Sequence, residues 1–140
     1  MDNYHIIEEG DTCYVEEERT RYSLIERMKA FTIDVYDLCD DFPKTASGRN
    51  VANQLCRSAS SVGANFRSAW RGRSDKEYIA KLGISVEEAD EAAYWLEIIQ
   101  ARSSWSQFHE KSSELAKQAN SFTAILVSMI KRKRNAMNKK

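Results

Sequence analysis

Proline occurs once in this 140-residue chain and glycine five times. Both residues interrupt regular helices, so their scarcity favours long helices and disfavours a turn-rich sandwich. No run approaches eighteen apolar residues, so nothing reads as a membrane span. The opening Met1, Asp2 and Asn3 lack a basic and then apolar leader. They do not read as a secretory signal, and the expectation is an intracellular, cytoplasmic protein. Histidine occurs only as His5 and His109. A helical zinc pair needs two histidines four apart, and a di-metal bundle needs Glu-x-x-His on two helices. Neither is available here.

The three cysteines, Cys13, Cys39 and Cys56, match no metal or redox spacing. An odd number set so far apart does not form a disulfide framework. Two of them fall at or beside apolar helical positions, which suits buried reduced thiols. Catalytic patterns are equally scarce. No glycine-rich loop follows a strand, because no strand is evident. Gly72, Arg73 and Ser74 could draw an anion to a helix start, but every helix start shares that property. The serines lack an evident base and orienting group. Glu87 and Glu91, four apart, share a helix face and read as an acidic edge rather than as metal ligands. The expectation is no enzyme, no metal and no cofactor.

What is present is helical periodicity. The hydrophobic share is 42%, regularly spaced, which excludes a disordered chain. At 140 residues there is material for one core. A first helix is predicted over about 19–42, with Leu24, Met28, Phe31, Val35, Leu38 and Phe42 on one face. Pro43 stops it, and Thr45 to Gly48 form a loop. A second helix over about 49–69 carries Val51, Leu55, Ala59, Val62, Phe66 and Ala69. Ser58, Ser60, Ser61, Gly63 and Ala64 crowd its middle. They lower its propensity but let neighbours come close, so this helix is expected to be central and tightly packed.

A third helix is predicted over 74–101, opened by a capping box of Ser74 and Glu77. Its face is Tyr78, Leu82, Ser85, Ala89, Ala92, Leu96 and Ile99. Ser103, Ser104 and Ser106 supply the next connection. A fourth helix over about 107–134 carries Phe108, Leu115, Ala119, Phe122, Leu126 and Met129, with Ile130 beside them. The organisation is then an acidic arm over 1–18, a bundle over 19–135 and a basic tail over 136–140. The arm is either loose or a strap on the bundle. Short loops make the rods antiparallel, in up-down-up-down order. Burial of their stripes is the main stabilising contribution, at roughly 25 cal/mol per Å². Polar replacements at Phe31, Phe66 or Leu96 are expected to be the most damaging.

Charge is balanced at 21 basic and 21 acidic side chains, but it is segregated along the chain. From Lys44 to Arg73 there is no acid, only Lys44, Arg49, Arg57, Arg67, Arg71 and Arg73. From Asp75 to Glu97 the sign reverses, and at Lys131, Arg132, Lys133 and Arg134 it turns basic again. Two explanations compete. A basic helix beside an acidic one would form rim ion pairs, each worth about 0–1 kcal/mol. Alternatively, Arg57, Arg67, Arg71, Arg73 and the tail form a patch for RNA or DNA phosphates. Tyr94 and Trp95 are neighbours on the third helix and cannot face the same way. Trp70 and Trp105 fall in predicted connections. All four are candidate interface residues, or else the two tryptophans of the connections cover the bundle ends.

The segment Arg57 to Ala69, reading RSASSVGANFRSA, resembles the signature of the bacterial 23S rRNA intervening-sequence proteins. Phe31 to Tyr36 with Phe42-Pro43, Ser74 to Tyr78, and Glu87 to Leu96 resemble the first and third helices of that family. The resemblance covers most of residues 28–130. It implies a left-handed bundle, a ring-like homo-oligomer that is commonly a pentamer, and no enzymatic activity. It also implies RNA contact for some members. A related branch assists the reverse transcriptase of diversity-generating retroelements through a basic surface. That branch is strongly basic and this chain is neutral. The family's typical positions fall on Arg57, Ala59, Ala64, Asn65 and Ser74, with Asn65 expected to bond across helices or cap a loop. Many relatives carry an acid where this chain has Ser68. The expectation is a non-enzymatic oligomeric scaffold touching nucleic acid through a basic rim. The rival is a purely structural interaction module, in which Arg57 and Arg67 pair with the third helix.

Overall fold

A computed structural model describes residues 9–139, with side chains from residue 18 onward. Four helices make up an all-α four-helix bundle: α1 (Glu9–Asp40), α2 (Ala46–Trp70), α3 (Asp75–Ala101) and α4 (His109–Asn138). A 3₁₀ stretch, Ser103–Phe108, joins α3 to α4. No strand occurs among the described residues. No helix among them is long and apolar enough to cross a membrane.

Each rod exists because its apolar positions recur at helical spacing. All of the expected stripe on α1 and α2, from Leu24 to Phe42 and from Val51 to Ala69, is buried. On α3, Leu82, Ser85, Ala89, Ala92, Leu96 and Ile99 are buried, while Tyr78 is only partly covered. On α4, Leu115, Ala119, Phe122 and Leu126 are buried. There the last turns rotate slightly, burying Ile130 and leaving Met129 at the margin. Phe31 and Phe122 meet edge to face at 5.5 Å and tie α1 to α4. α3 has the broadest packing, against both α2 and α4. α1 packs mainly on α2, and its contact with α4 is slight.

The helix ends show where local chemistry departs from periodicity. α1 is helical from Glu9, the first described residue, so the acidic stretch from there to Glu18 is part of this helix. Residues 1–8 of the expected arm lie outside the described residues. α2 starts at Ala46, because Thr45 is a working N-cap and accepts from the Gly48 amide at 3.1 Å. Gly48 is needed there, since a Cβ would lie 2.1 Å from the Pro43 carbonyl oxygen. Ser74 accepts from the Glu77 amide at 3.1 Å, and Glu77 accepts from the Arg73 amide at 3.2 Å. The capping box is therefore complete. α4 contains the basic run Lys131 to Arg134 and continues one turn beyond it to Asn138.

Small residues bring α1 and α2 close. The Thr32 hydroxyl donates across the seam to the Ala59 carbonyl at 3.2 Å. The Cys39 thiol does the same to Ala52 at 3.7 Å. A Cβ at Gly63 would lie 3.2 Å from the Met28 Cβ. Positions rise on α1 as they fall on α2 by equal steps, which is antiparallel packing in fixed register. On the other side of α2, buried Ser85 of α3 donates to the Val62 carbonyl at 2.7 Å. The α2 backbone is thus hydrogen-bonded from both neighbours.

Two helical glycines should respond oppositely to substitution. Gly63→Leu drives bulk into the α1–α2 seam and should cost about 1–3 kcal/mol by overpacking. Gly83→Ala meets nothing within 4 Å in the chain. It should raise stability by about 0.5–1 kcal/mol, because the unfolded chain loses freedom. Urea midpoints of the two variants, read by circular dichroism, test both signs.

Candidate nucleic-acid interface

The antiparallel order puts the start of α1, the end of α2, the start of α3 and the end of α4 at one end of the bundle. The two basic segments of the sequence, far apart along the chain, meet there. Arg67 and Arg71 lie on the last turn and C-cap of α2. With Arg73 they are exposed, and so are Lys131, Arg132 and Arg134 on α4. Lys133 is partly covered. It reaches Asp75 at the α3 start (3.0 Å) and lies 5.2 Å from the Tyr78 ring centre. This pair fastens the α4 tail to the α2–α3 corner.

Arg57 does not join that cluster. It sits in the middle of α2 and binds Glu88 at 3.1 Å and also Glu91, both on α3. The two carboxylates hold the Arg57 guanidinium above its ordinary pKa, mainly through the Glu91 hydrogen bond. Glu91 is held below the ordinary carboxylate range by Arg57, with help from a bond donated by Trp95 Nε1 at 3.4 Å. The structure thus divides the sequence-derived basic set. Arg57 is half of an interhelical clamp, whereas Arg67 makes no ion pair with α3 among the described residues.

The aromatic candidates also separate. Trp105 is 4% exposed and lies against Phe42 at 4.7 Å, with Arg102 over its face at 4.2 Å. It plugs the end of the bundle opposite the basic cluster. Trp70 is partly buried at the basic end, in edge contact with Phe66 and Tyr78. Arg21 of α1 lies 4.9 Å over it. Trp95 is partly buried, while Tyr94 beside it is 54% exposed. Neither of these two enters the core. Asn65 does not bond across helices. Its amide donates to the Ser61 carbonyl, one turn back, at 2.8 Å. A neighbouring backbone oxygen on its own helix is the cheaper partner.

Sequence reading missed the α1 contribution of Arg19 and Arg21 to this end. The periodicity and direction of α1 contained the signal. The first 18 residues hold seven acids and no lysine or arginine. The rest of the chain carries 21 basic against 14 acidic side chains, while the acidic stretch from Glu9 to Glu18 belongs to the start of α1, at this same end.

Other reactive groups have structural duties. His109 Nε2 donates to the Arg102 carbonyl at 2.8 Å and closes the α3–α4 corner. Burial pushes the Cys39 thiol well above its usual pKa, with the neighbouring Cys56 adding to the shift. Cys39 and Cys56 are both free thiols. Among the described residues, no three of His, Cys, Asp or Glu are grouped to hold a metal.

Residues 20–128, which span all four helices, match the pattern of a known protein family. The chain belongs to the 23S rRNA-intervening sequence protein family. A solved relative is a protein of unknown function from the S23 ribosomal protein family of Bacteroides thetaiotaomicron. It is 25% identical and superposes with a TM-score of 0.70 over 79% of this chain and 97% of its own. No curated protein matches. The matched span of this intervening-sequence family member includes Arg67, Arg71 and Arg73 and stops short of the basic tail. The tail's share of the basic end therefore lies outside the family match.

The Arg57–Glu91 clamp has a defined pH signature. Because the Glu91 pKa is lowered on folding, its contribution is complete above the ordinary value of 4.5. It is lost as pH falls through the lower folded-state value. Glu91→Gln should reduce the urea midpoint at neutral pH, and the gap from the unaltered protein should shrink in acid. A gap independent of pH would show that the carboxylate charge contributes nothing.

Proposed function

We propose that this protein is a non-enzymatic cytoplasmic scaffold, assembled from several copies, that holds RNA or DNA phosphates on the basic end of its bundle. The observation that carries the proposal is the meeting of Arg67, Arg71 and Arg73 with Arg132 and Arg134 at one end. Arginine forks suit phosphate oxygens, and exposed guanidiniums release counterions from nucleic acid on binding. Such contacts supply affinity without reading base sequence.

Assembly is supported by apolar surface that one chain leaves uncovered. α3 carries Ile84 and Tyr94 outward, and α1 carries Tyr22 (68% exposed), Ile33 (58%) and Tyr36. α1 and α3 pack on the helices between them rather than on each other. Their outer faces therefore point in different directions. Two unlike faces that meet head to tail close into a ring when the rotation allows. A pentamer is the stoichiometry proposed, from the family resemblance.

The second reading, a protein-interaction module without nucleic acid, draws on the Arg57 clamp. It shows the basic face of α2 partly consumed within the chain.

Fluorescence anisotropy with labelled RNA and DNA, titrated with salt, separates the two readings. Binding should weaken steeply with salt. Replacing Arg67, Arg71 and Arg73 together by Ala should reduce the log–log slope by roughly 2–3. Arg57→Ala should leave the slope unchanged. Absence of binding by the assembled protein at low ionic strength would reject the nucleic-acid role. Native mass spectrometry of the same sample counts the copies, and a monomer at micromolar concentration would reject the assembly.

A further inference from the structure

Because α1 touches α4 only slightly, the bundle is open along that side near the basic end. The opening is a groove of about 1060 Å³ between α1, the α2–α3 corner and α4. Its lining is of two kinds. Leu24, Ile125 and Met129 supply apolar surface between the walls, and Trp70 and Tyr78 supply aromatic surface at the corner. Cations stand around them: Arg21 on α1, Arg73 at the corner, and Arg132 and Lys133 on α4. Asp75, bound to Lys133, is the one acid in the lining, and Glu18 at its edge pairs with Arg21 at 3.5 Å in a half-exposed contact.

We infer that this groove takes single-stranded rather than duplex nucleic acid. The inference rests on the phosphate-binding reading above and names the strand state that the same end prefers. A duplex offers a rod of phosphates with its base faces hidden in the stack, so the apolar lining would gain nothing from it. A single strand exposes flat, weakly hydrated base faces beside its phosphates. That matches an apolar and aromatic channel edged by cations. Arg21 lies over the face of Trp70 at 4.9 Å, so a cation–aromatic layer is already formed at the corner. A guanidinium plane is itself a surface on which a base can stack. Arg73 at the α2–α3 corner and Arg132 on α4, both exposed, are placed for the flanking phosphates.

The test compares a labelled 20-nucleotide single strand with the duplex of the same sequence, using the full-length protein at low salt. The single strand should bind at least about tenfold tighter, as expected from one stacked base. Arg21→Ala should lose most of that preference and leave duplex binding unchanged. Arg132→Ala should weaken the single strand from the other wall. Circular dichroism checks that each variant is folded. Equal affinity for both strand states, insensitive to Arg21→Ala, would overturn the inference and leave the phosphate reading standing. Failure of both to bind would overturn that reading as well. A change in subunit number caused by Arg21→Ala, with no change in strand preference, would assign the groove to a second copy and overturn the inference.

Discussion

Four apolar stripes can leave water together only by facing a common axis. Connections of a few residues then oblige each rod to reverse the direction of the one before. That constraint governs where everything else lies. It puts the start of α1, the end of α2, the start of α3 and the end of α4 at one end. Side chains separated by most of the chain become neighbours there. Without alternating direction the arginines after Phe66 and the cations after Ile130 would be unrelated patches.

The quality of the α1–α2 seam decides how firmly this arrangement is held. Gly63, Ala59 and Ala52 let the α1 side chains reach α2 backbone carbonyls. A contact of that kind fixes axial register, which apolar packing alone specifies less sharply. Ser85 does the same from α3. The run of small residues, poor in helix propensity by itself, contributes through the distance at which its neighbours pack. Looseness appears on the opposite side of the bundle. α1 and α4 share the Phe31–Phe122 contact, Arg27 over the Phe122 ring and the Lys111–Asp34 pair, but few close backbone approaches, and the groove follows from that imbalance.

Electrostatics works differently at two places that look alike in sequence. Arg57 and Arg67 both belong to the acid-free stretch. Arg57 lies level with Glu88 and Glu91, and its charge is neutralised inside the chain. Arg67 lies nearer the α2 end and remains exposed. Exposed pairs such as Arg57–Glu88 add little to stability, so the clamp matters mainly for register between α2 and α3. The arginines beyond it lie where a phosphate could reach them. Equal counts of acids and bases can therefore coexist with a cluster of exposed arginines at one end. Two thirds of the acids sit in the first 18 residues and along α3, and none lies between Lys44 and Arg73.

Helix number, the buried faces and the Ser74–Glu77 cap were legible in the residues alone. Period and capping are local properties, set within a few turns of chain. The ends of α1, α2 and α4 were less legible. Thr45 to Gly48 has the composition of a loop yet caps and starts α2, and the acidic and basic extremities carry no apolar period to mark them as helical. The basic end itself, the separation of Arg57 from Arg67, the burial of Trp105 and the exposure of Tyr94 came only from the tertiary structure. Each depends on which rods are adjacent and at what height they meet. Those are distances between remote parts of the chain, and no spacing along one helix encodes them.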